Sequence, residues 1–542
     1  MSELTGVLES KCVAVAAGVG GYGRSAPFSP DMAWREYPFA NADSGVTRRL
    51  EAGGTAARDG GGTCGGGTNG DTAHAGVREA LKLLGLDAAR FDTAEWNPLG
   101  GIVRPGDTVV LKPNCVREFR ESSPDHADCV ITHGAVIRAV LDYVYIALQG
   151  RGRMVIADAP HNDADFAAIR RIAGLDEIQE FYRRHARLPV EVYDLRPEQV
   201  RKVDGVIVGH EPLPGDPAGY VRVNLGRQSA FTEVNHLCHL LYGSEYDMSE
   251  LASHHHDDVH EYLISRTVLD ADVVISLPKL KTHKKVGLTV NLKNLVGING
   301  NKNWLPHHRE GTPSQGGDQF RDDGLSRRIE RSVVARFKNV FPRLGPLRSV
   351  VAGPFKALGK RVFGDTNTDT VRSGNWYGND TTWRMVHDLN RILLYARPDG
   401  CLSEAPVRRF FSVVDGVVAG EGNGPLDPRP KAAGLVLAGG NPVAVDLVCS
   451  QLMGFELDRL PVLKRATGGA ELPLTSFRAD EVVVQSNDSR LVGPALRIDA
   501  PDLAFVPHFG WCGHLERRIT GAPTARRAHG RCQGLQALDS AP

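Results

Sequence analysis

The sequence has no excess of either charge: Lys plus Arg number 64 and Asp plus Glu number 64 over 542 residues. With no overall field to favour nucleic acid, an anionic membrane or a basic partner, charge-driven recognition has to be local, and no nucleic-acid role is expected. Long hydrophobic runs are missing too. No stretch approaches the roughly 20 apolar residues that span a bilayer, and the start "MSELTGVLESKCVAVAAGVGGYGR" puts an acid where a secretory signal has its basic region. The expectation is a cytoplasmic protein. The nine cysteines are scattered and odd in number, with no Cys-x-x-Cys pair. That pattern reads as reduced thiols and argues against a ferredoxin-type iron–sulfur cluster or a zinc knuckle, both of which need closely spaced thiolates. Absent as well are the Gly-x-Ser-x-Gly elbow, the Gly-x-x-x-x-Gly-Lys-Ser/Thr loop, His-Glu-x-x-His and a well-placed dinucleotide fingerprint. These gaps set aside the standard hydrolase, NTPase, zinc protease and dehydrogenase.

What is present is a repeated strand-and-helix grammar. Cys12 to Ala17 reads as a first strand, and a helix begins near Thr72. "PGDTVVLKPNCV" is a turn and a buried strand that delivers Lys112 and Asn114 at its carboxyl end. "GAVIRAVLDYVYIAL" carries apolar residues at helical spacing behind His133 and Gly134, and "RMVIADAP" is a second strand ending in Asp158, just before His161. Strand, helix and strand in this order form a βαβ unit, whose functional loops lie at the strand carboxyl ends. "LDADVVISLP" repeats the pattern, followed by "GLTVNLKNLVG" as a helix. "FSVVDGVVAGEGNGP" gives a strand ending near Asp415 and then a glycine-rich loop, and "NPVAVDLVCSQLMG" a helix closed by Gly454.

The predicted fold is α/β: two parallel or mixed sheet units with flanking helices and an inserted basic helical segment. The divisions are an N-terminal region 1–100 with a flexible Gly-rich insertion at 53–70, a first α/β unit 101–323, and a basic helical insertion or lid 324–372. A second α/β unit 373–520 and a disordered tail 521–542 complete the chain. The basic face of 324–364 has two readings, a solvated lid surface or a weak membrane contact.

The chemistry concentrates in "SLPKLKTHKKVGLTVNLKNLVGINGNKNWLPHHR", Ser276 to Arg309. If the chain stays extended past Pro278, Lys279, Lys281, His283 and Lys285 share one face. With the positive end of a helix near Gly287, they would make an anion site. Lys293, Asn294, Asn299, Lys302, His307 and His308 extend the same polar surface. The adjacent pair His307 and His308 cannot chelate one ion from one face, so a metal would need help from "SHHHDDVH", His254 to Asp257 among them. Three acids stand at strand ends or in their loops: Asp158, Asp415 and Glu421.

In order, "VVLKPNCV", "ITHGAVIRAVLDY", "IADAP", "VVISLPKLKTHKKVGLTVNLKNLVGINGNK", "VVDGVVAGEGNGP", "NPVAVDLVCSQLMG" and "PHFGWCGHLE" resemble the successive motifs of the bacterial and archaeal family catalogued as domain of unknown function 362. The resemblance extends to the family's longer subgroup without ferredoxin-type cysteines, which is often found among genes for surface polysaccharide or specialised metabolite synthesis. The family is also distantly similar in organisation to the nickel-pincer lactate racemases, and that analogy tilts the expected chemistry toward an isomerase or epimerase.

The resulting expectation is an enzyme for an anionic small molecule, a carboxylate- or phosphate-bearing sugar or related metabolite. His283, Asp415 and Lys293 are the catalytic candidates. Lys112, Asn114, Lys279, Lys281, Asn294, Asn299, Lys302, His307 and His308 would bind substrate. A divalent metal ion would take ligands from Asp158, Asp415 and Glu421, bridging the last two. The alternatives are a non-catalytic binding or assembly protein for an anionic glycan or lipid-linked intermediate, and a metal-dependent redox protein.

Overall fold

A computed structural model describes residues 6–40, 72–243, 248–324 and 371–517, apart from short breaks at 24, 31, 121, 124–126 and 204–205, together with residues 47 and 48. The Gly-rich insertion at 53–70, almost all of the basic segment 324–372 and the tail at 521–542 lie outside the described residues.

Eleven strands form the main sheet. Numbered along the chain they are β1 (Cys12–Ala17), β2 (Thr108–Pro113), β3 (Arg153–Asp158), β4 (Val190–Asp194), β5 (Val273–Leu277), β6 (Lys279–His283), β7 (Gly287–Thr289), β8 (Arg409–Asn423), β9 (Asp427–Gly439), β10 (Val483–Ser486) and β11 (Gly493–Pro494). The order across the sheet is β11–β10–β1–β9–β8–β5–β2–β3–β4, with β6 pairing β7 and β8. The half from β8 to β4 is parallel throughout. Apart from the edge strand β4, its strands carry continuous apolar runs, as expected of strands covered on both faces. Along β5, Val274 faces one core while Val273 and Ile275 face the other. The helices α1 (Ala73–Leu83), α2 (Gly134–Leu148) and α3 (Leu175–His185) supply one covering layer, and α4 (Thr382–Tyr395) and α5 (Pro442–Leu452) supply the other.

The α/β class is as expected, and β2, α2 and β3 form the predicted parallel βαβ unit. The two predicted sheet units are, however, parts of one sheet. β5 pairs in parallel with β8 from Val273↔Arg409 to Ser276↔Ser412, so the C-terminal strands extend the same hydrogen-bonded ladder.

Three local expectations change. β8 does not stop near Asp415 but runs through the glycine tract to Asn423, because it forms a long hairpin with β9 and an edge for β6. Gly420 is required there: a Cβ would stand 2.7 Å from the Cys129 carbonyl oxygen and 3.0 Å from the Lys281 Cβ. The predicted helix "GLTVNLKNLVG" is instead β7, one α-helical turn at Asn291–Asn294 and a 3-10 turn at Leu295–Ile298. Finally, Cys512 is disulfide-bonded rather than reduced, whereas Cys12, Cys115, Cys129, Cys238, Cys401 and Cys449 are free. No helix among the described residues is long and apolar enough to cross a membrane.

Candidate functional site

The carboxyl ends of the parallel strands open into a cavity of about 300 Å³. This is where a doubly wound sheet places ligands. β2 supplies Lys112 and the residue Asn114 just beyond it. β3 supplies Asp158, with His161 in the following loop. β6 brings Lys281 and His283, and the following loop brings Lys284 and Lys285. Lys293, Lys302 and His307 close the far side, and Lys202 stands at the rim. Pro278 ends β5, and β6 resumes as an extension pinned along β8, which is why the lysine-bearing chain reaches past the sheet edge.

The cations are not equivalent. Lys112 Nζ lies 2.7 Å from Asp158 Oδ1 in a buried pair, and it also donates to Asn294 Oδ1 at 3.0 Å. A Cβ on Gly297 would fall 1.8 Å from Asp158 Oδ1, so glycine is what lets the 3-10 turn lie over this pair. Lys281 is fully buried and donates to the carbonyls of Val130 at 2.5 Å and Pro425 at 3.3 Å. Burial, with Lys279 and Lys293 nearby, holds its pKa well below the usual lysine value. Lys285 donates to the carbonyls of His307 and Ser373 and is lowered to about 7 by burial and Lys284. Lys302 donates to the carbonyls of Ala159, Asn299 and Val296, and burial lowers it to about 7. Lys293 is lowered to about 8 by burial and Lys112. Among the described residues no hydrogen bond or ion pair holds the Lys293 amine. Asn114 Oδ1, buried at the same wall, has no hydrogen-bond partner either.

The cavity histidines have fixed faces. His283 Nδ1 accepts from the Lys285 backbone N–H at 3.0 Å, so the neutral ring carries its proton on Nε2. His307 Nδ1 donates to the Leu305 carbonyl at 2.8 Å, leaving Nε2 bare. Burial and neighbouring lysines push both rings well below the usual histidine range. His161 Nδ1 bonds Asp163, whose carboxylate also takes Arg117 at 2.8 Å and Lys202 at 2.9 Å. A His ring oriented by a carboxylate is the arrangement of a general base. His161 and Asp163 are functional candidates that motif reading passed over. Their only signal is the His-x-Asp spacing behind a strand end.

Of the predicted site residues, Lys112, Asn114, Asp158, Lys281, His283, Lys293, Asn294, Lys302 and His307 line this one cavity. The structure places the others elsewhere. Lys279 is buried against Asp415 at 2.5 Å, with the Tyr22 hydroxyl between them and its ring stacked on His133. Asp415 also accepts from the His133 backbone N–H, so neither partner is open to substrate. Asn299 spends its amide on Leu263 N–H and the Asn301 carbonyl. His308 sits in a two-residue strand paired with Leu241–Tyr242. Asn294, although in the wall, commits its amide to Lys112 and Ser276.

The expected bridging ion fails on distance. Asp415 and Glu421 are six residues apart on one extended strand, roughly 20 Å at the usual rise per residue. Glu421 instead accepts from Val506 N–H at 3.0 Å and faces Lys431. Asp158 is occupied by Lys112, and no group of three His, Cys, Asp or Glu side chains among the described residues is placed to hold a metal. The His254–Asp257 run also disperses: His254 stacks on Trp304, His255 bonds the Trp304 carbonyl and His256 is exposed. Nor does a helix end face the cavity as an anion site. The first amides of Asn291–Asn294 are taken by Asp446 at 2.8 and 2.9 Å, and burial pushes that carboxyl up to about 7.

Comparisons with known proteins agree with the motif reading. The chain is 23% identical over 274 residues to the thylakoid-associated protein sll1697 of Synechocystis, a match covering 49% of this chain and 60% of that protein, so it spans about three fifths of that relative's length. A crystal structure of a Thermotoga maritima protein aligns over 69% of this chain and 58% of its own at 12% identity, with a TM-score of 0.27. Residues 198–451 match the model described as domain of unknown function (DUF362).

Proposed function

We propose that the chain is an enzyme whose cavity binds an anionic small molecule and moves a proton on it. The observation that carries this reading is the imbalance of charge in the wall. Lys281, Lys285 and Lys293 line the cavity with no carboxylate in hydrogen-bond or ion-pair range among the described residues. Burying unpaired cations is costly, so a site that keeps them is suited to a ligand that brings the missing negative charge. Asn114 Oδ1 supplies an acceptor for a ligand hydroxyl or amine.

The proton-handling groups differ from the first assignment. His283 presents N–H toward the cavity and acts as a donor, whereas His307 Nε2 and the Asp163-oriented His161 present lone pairs and act as bases. Asp415 has no part in the reading, and neither does an ion bridging it to Glu421. Isomerisation or epimerisation is the reaction class we favour, because a donor and a base lining one cavity are what proton removal and return require.

Calorimetry with sulfate, phosphate and citrate tests the binding step. Wild type should bind the polyanions, and Lys293→Met should weaken binding about tenfold to a hundredfold, the worth of one hydrogen bond to a charged group. Equal affinity in both proteins would place the anion site elsewhere.

A further inference from the structure

Lys293 is the one cavity lysine whose amine is left without a hydrogen bond or ion pair among the described residues, while Lys112 is held by Asp158 and Lys281, Lys285 and Lys302 donate to backbone carbonyls. It stands in a wall already rich in cations, and His283 and His307 lie close enough for its charge to hold their protonation down. A free amine beside fixed cations is suited to more than electrostatic binding. The neighbours can hold an anionic group while the amine reaches a second functional group of the same molecule.

We propose that Lys293 forms an imine with a ligand that carries an aldehyde or ketone carbonyl next to its anionic group. This rests on the anion-site reading and narrows its substrate to carbonyl-bearing anions such as 2-oxo acids and aldehyde phosphates. The step balances without an oxidant or reductant. The neutral amine attacks the carbonyl carbon, one N–H proton passes to the oxygen to give a carbinolamine, and the second N–H proton leaves with that oxygen as water while the C=N bond forms. His307 Nε2 is the bare nitrogen available to take the proton that the ammonium form must first lose, and His283 Nε2–H is the donor available to the departing oxygen. The lowered pKa of Lys293, about 8, places part of it in the neutral form near neutral pH. An imine would also acidify the adjacent C–H bond, which is the proton that His161 or His307 would exchange.

The full chain is incubated separately with pyridoxal 5′-phosphate and with 2-oxoglutarate, trapped with sodium cyanoborohydride as the hydride source, and mapped by peptide mass spectrometry. The expected result is a reduced adduct concentrated at Lys293, at least about tenfold above any surface lysine, and suppressed by excess sulfate. Lys293→Arg keeps the cation and cannot form an imine, so it should retain sulfate binding and lose the adduct. Adduct confined to surface lysines, with sulfate binding intact in both proteins, overturns the imine and leaves the anion site standing. No sulfate binding in either protein, together with unprotected adducts, overturns both. Adduct with one probe alone decides between the aldehyde phosphate and the 2-oxo acid.

Discussion

Lys279 and Lys281 are two residues apart on β6, point to the same side of the strand and are both fully buried. Their surroundings are nonetheless opposite. Lys279 is closed by Asp415 across the β6–β8 ladder, where the two residues are register partners, and Tyr22, His133 and Val418 complete the cluster. Lys281, past the register shift in that ladder, meets among the described residues only the carbonyls of Val130 and Pro425 and lines the cavity. The same residue type on the same strand is therefore a structural tie in one place and part of a charged wall in the next. A lysine's role here is decided by what the neighbouring strand supplies, and that separation can be broken experimentally.

The largest effect should come from the closed cluster. Removing one partner of a buried ion pair leaves an uncompensated charge and costs roughly 3–5 kcal/mol, whereas replacing both by apolar groups is often close to neutral. Asp415→Leu should thus lose about that much stability in urea denaturation, and Lys279→Met/Asp415→Leu should recover most of it. Lys281→Met, which removes a cation without a carboxylate partner, should cost little or raise stability. If Lys281→Met is as damaging as Asp415→Leu, the contrast between the two lysines is wrong.

Gly297→Ala comes next. Its Cβ would enter the Lys112–Asp158 pair, 1.8 Å from Asp158 Oδ1 and 2.7 Å from Lys112 Nζ, so a fixed charge pair must move or the turn must lift. Overpacking of this kind costs about 1–3 kcal/mol. The same change should also weaken sulfate binding, since the turn carries the wall next to Lys293. Lost stability with unchanged sulfate affinity would show that the pair supports the fold alone.

How far the sequence could lead to this contrast depends on range. Local patterns identified β1, β2, α2 and α5 nearly to the residue, because continuous apolar runs, helical spacing and end residues such as His133 and Asn441 act within a few positions. The strand-end rule also brought Lys112, Asn114, Asp158 and His283 to one opening. What the sequence could not carry was pairing between distant segments. Asp415 looked like a catalytic acid until β8 aligned it with Lys279, more than a hundred residues away. Asp446 gave no hint that it would cap Asn291–Asn294 and take up the amides of that helix end. Glu421 looked near to Asp415 only because a glycine-rich stretch reads as a loop; paired on both edges, it is a strand that keeps them apart.

A third test uses the pH dependence of stability, where the sign follows from proton counts. Lys293 has its pKa lowered from 10.5 to about 8, so between those values the folded chain holds fewer protons than the unfolded one and stability rises with pH. The contribution is full above 10.5 and lost as pH falls through about 8. Lys293→Met removes this group and no hydrogen bond, so it should be more stable than wild type at pH 7, with an advantage that shrinks on approach to pH 10. The slope is at most about 1.4 kcal/mol per pH unit for one group, and partial exposure of the side chain reduces it. A difference between the proteins that stays constant across pH 7 to 10 would mean that Lys293 keeps an ordinary pKa.

The smallest effect concerns the ligand and bears most directly on what the open lysines do. Sulfate keeps one charge state across the range, so any pH dependence of its binding belongs to the protein. Lys285 and Lys302, at about 7, and Lys293, at about 8, lose their charge as the pH rises, and the affinity for sulfate should fall between pH 7 and 9 by about tenfold, one charge-assisted contact. A bound anion favours the protonated amines, so binding near pH 8 should take up protons, seen as a dependence of the calorimetric heat on the ionisation enthalpy of the buffer. Lys279 is fixed to Asp415 and is not part of the cavity lining. Proton uptake that falls in Lys293→Met but persists unchanged in Lys279→Met/Asp415→Leu would assign the charge to the cavity wall, whereas uptake lost in the second protein would move the anion to the Lys279–Asp415 cluster.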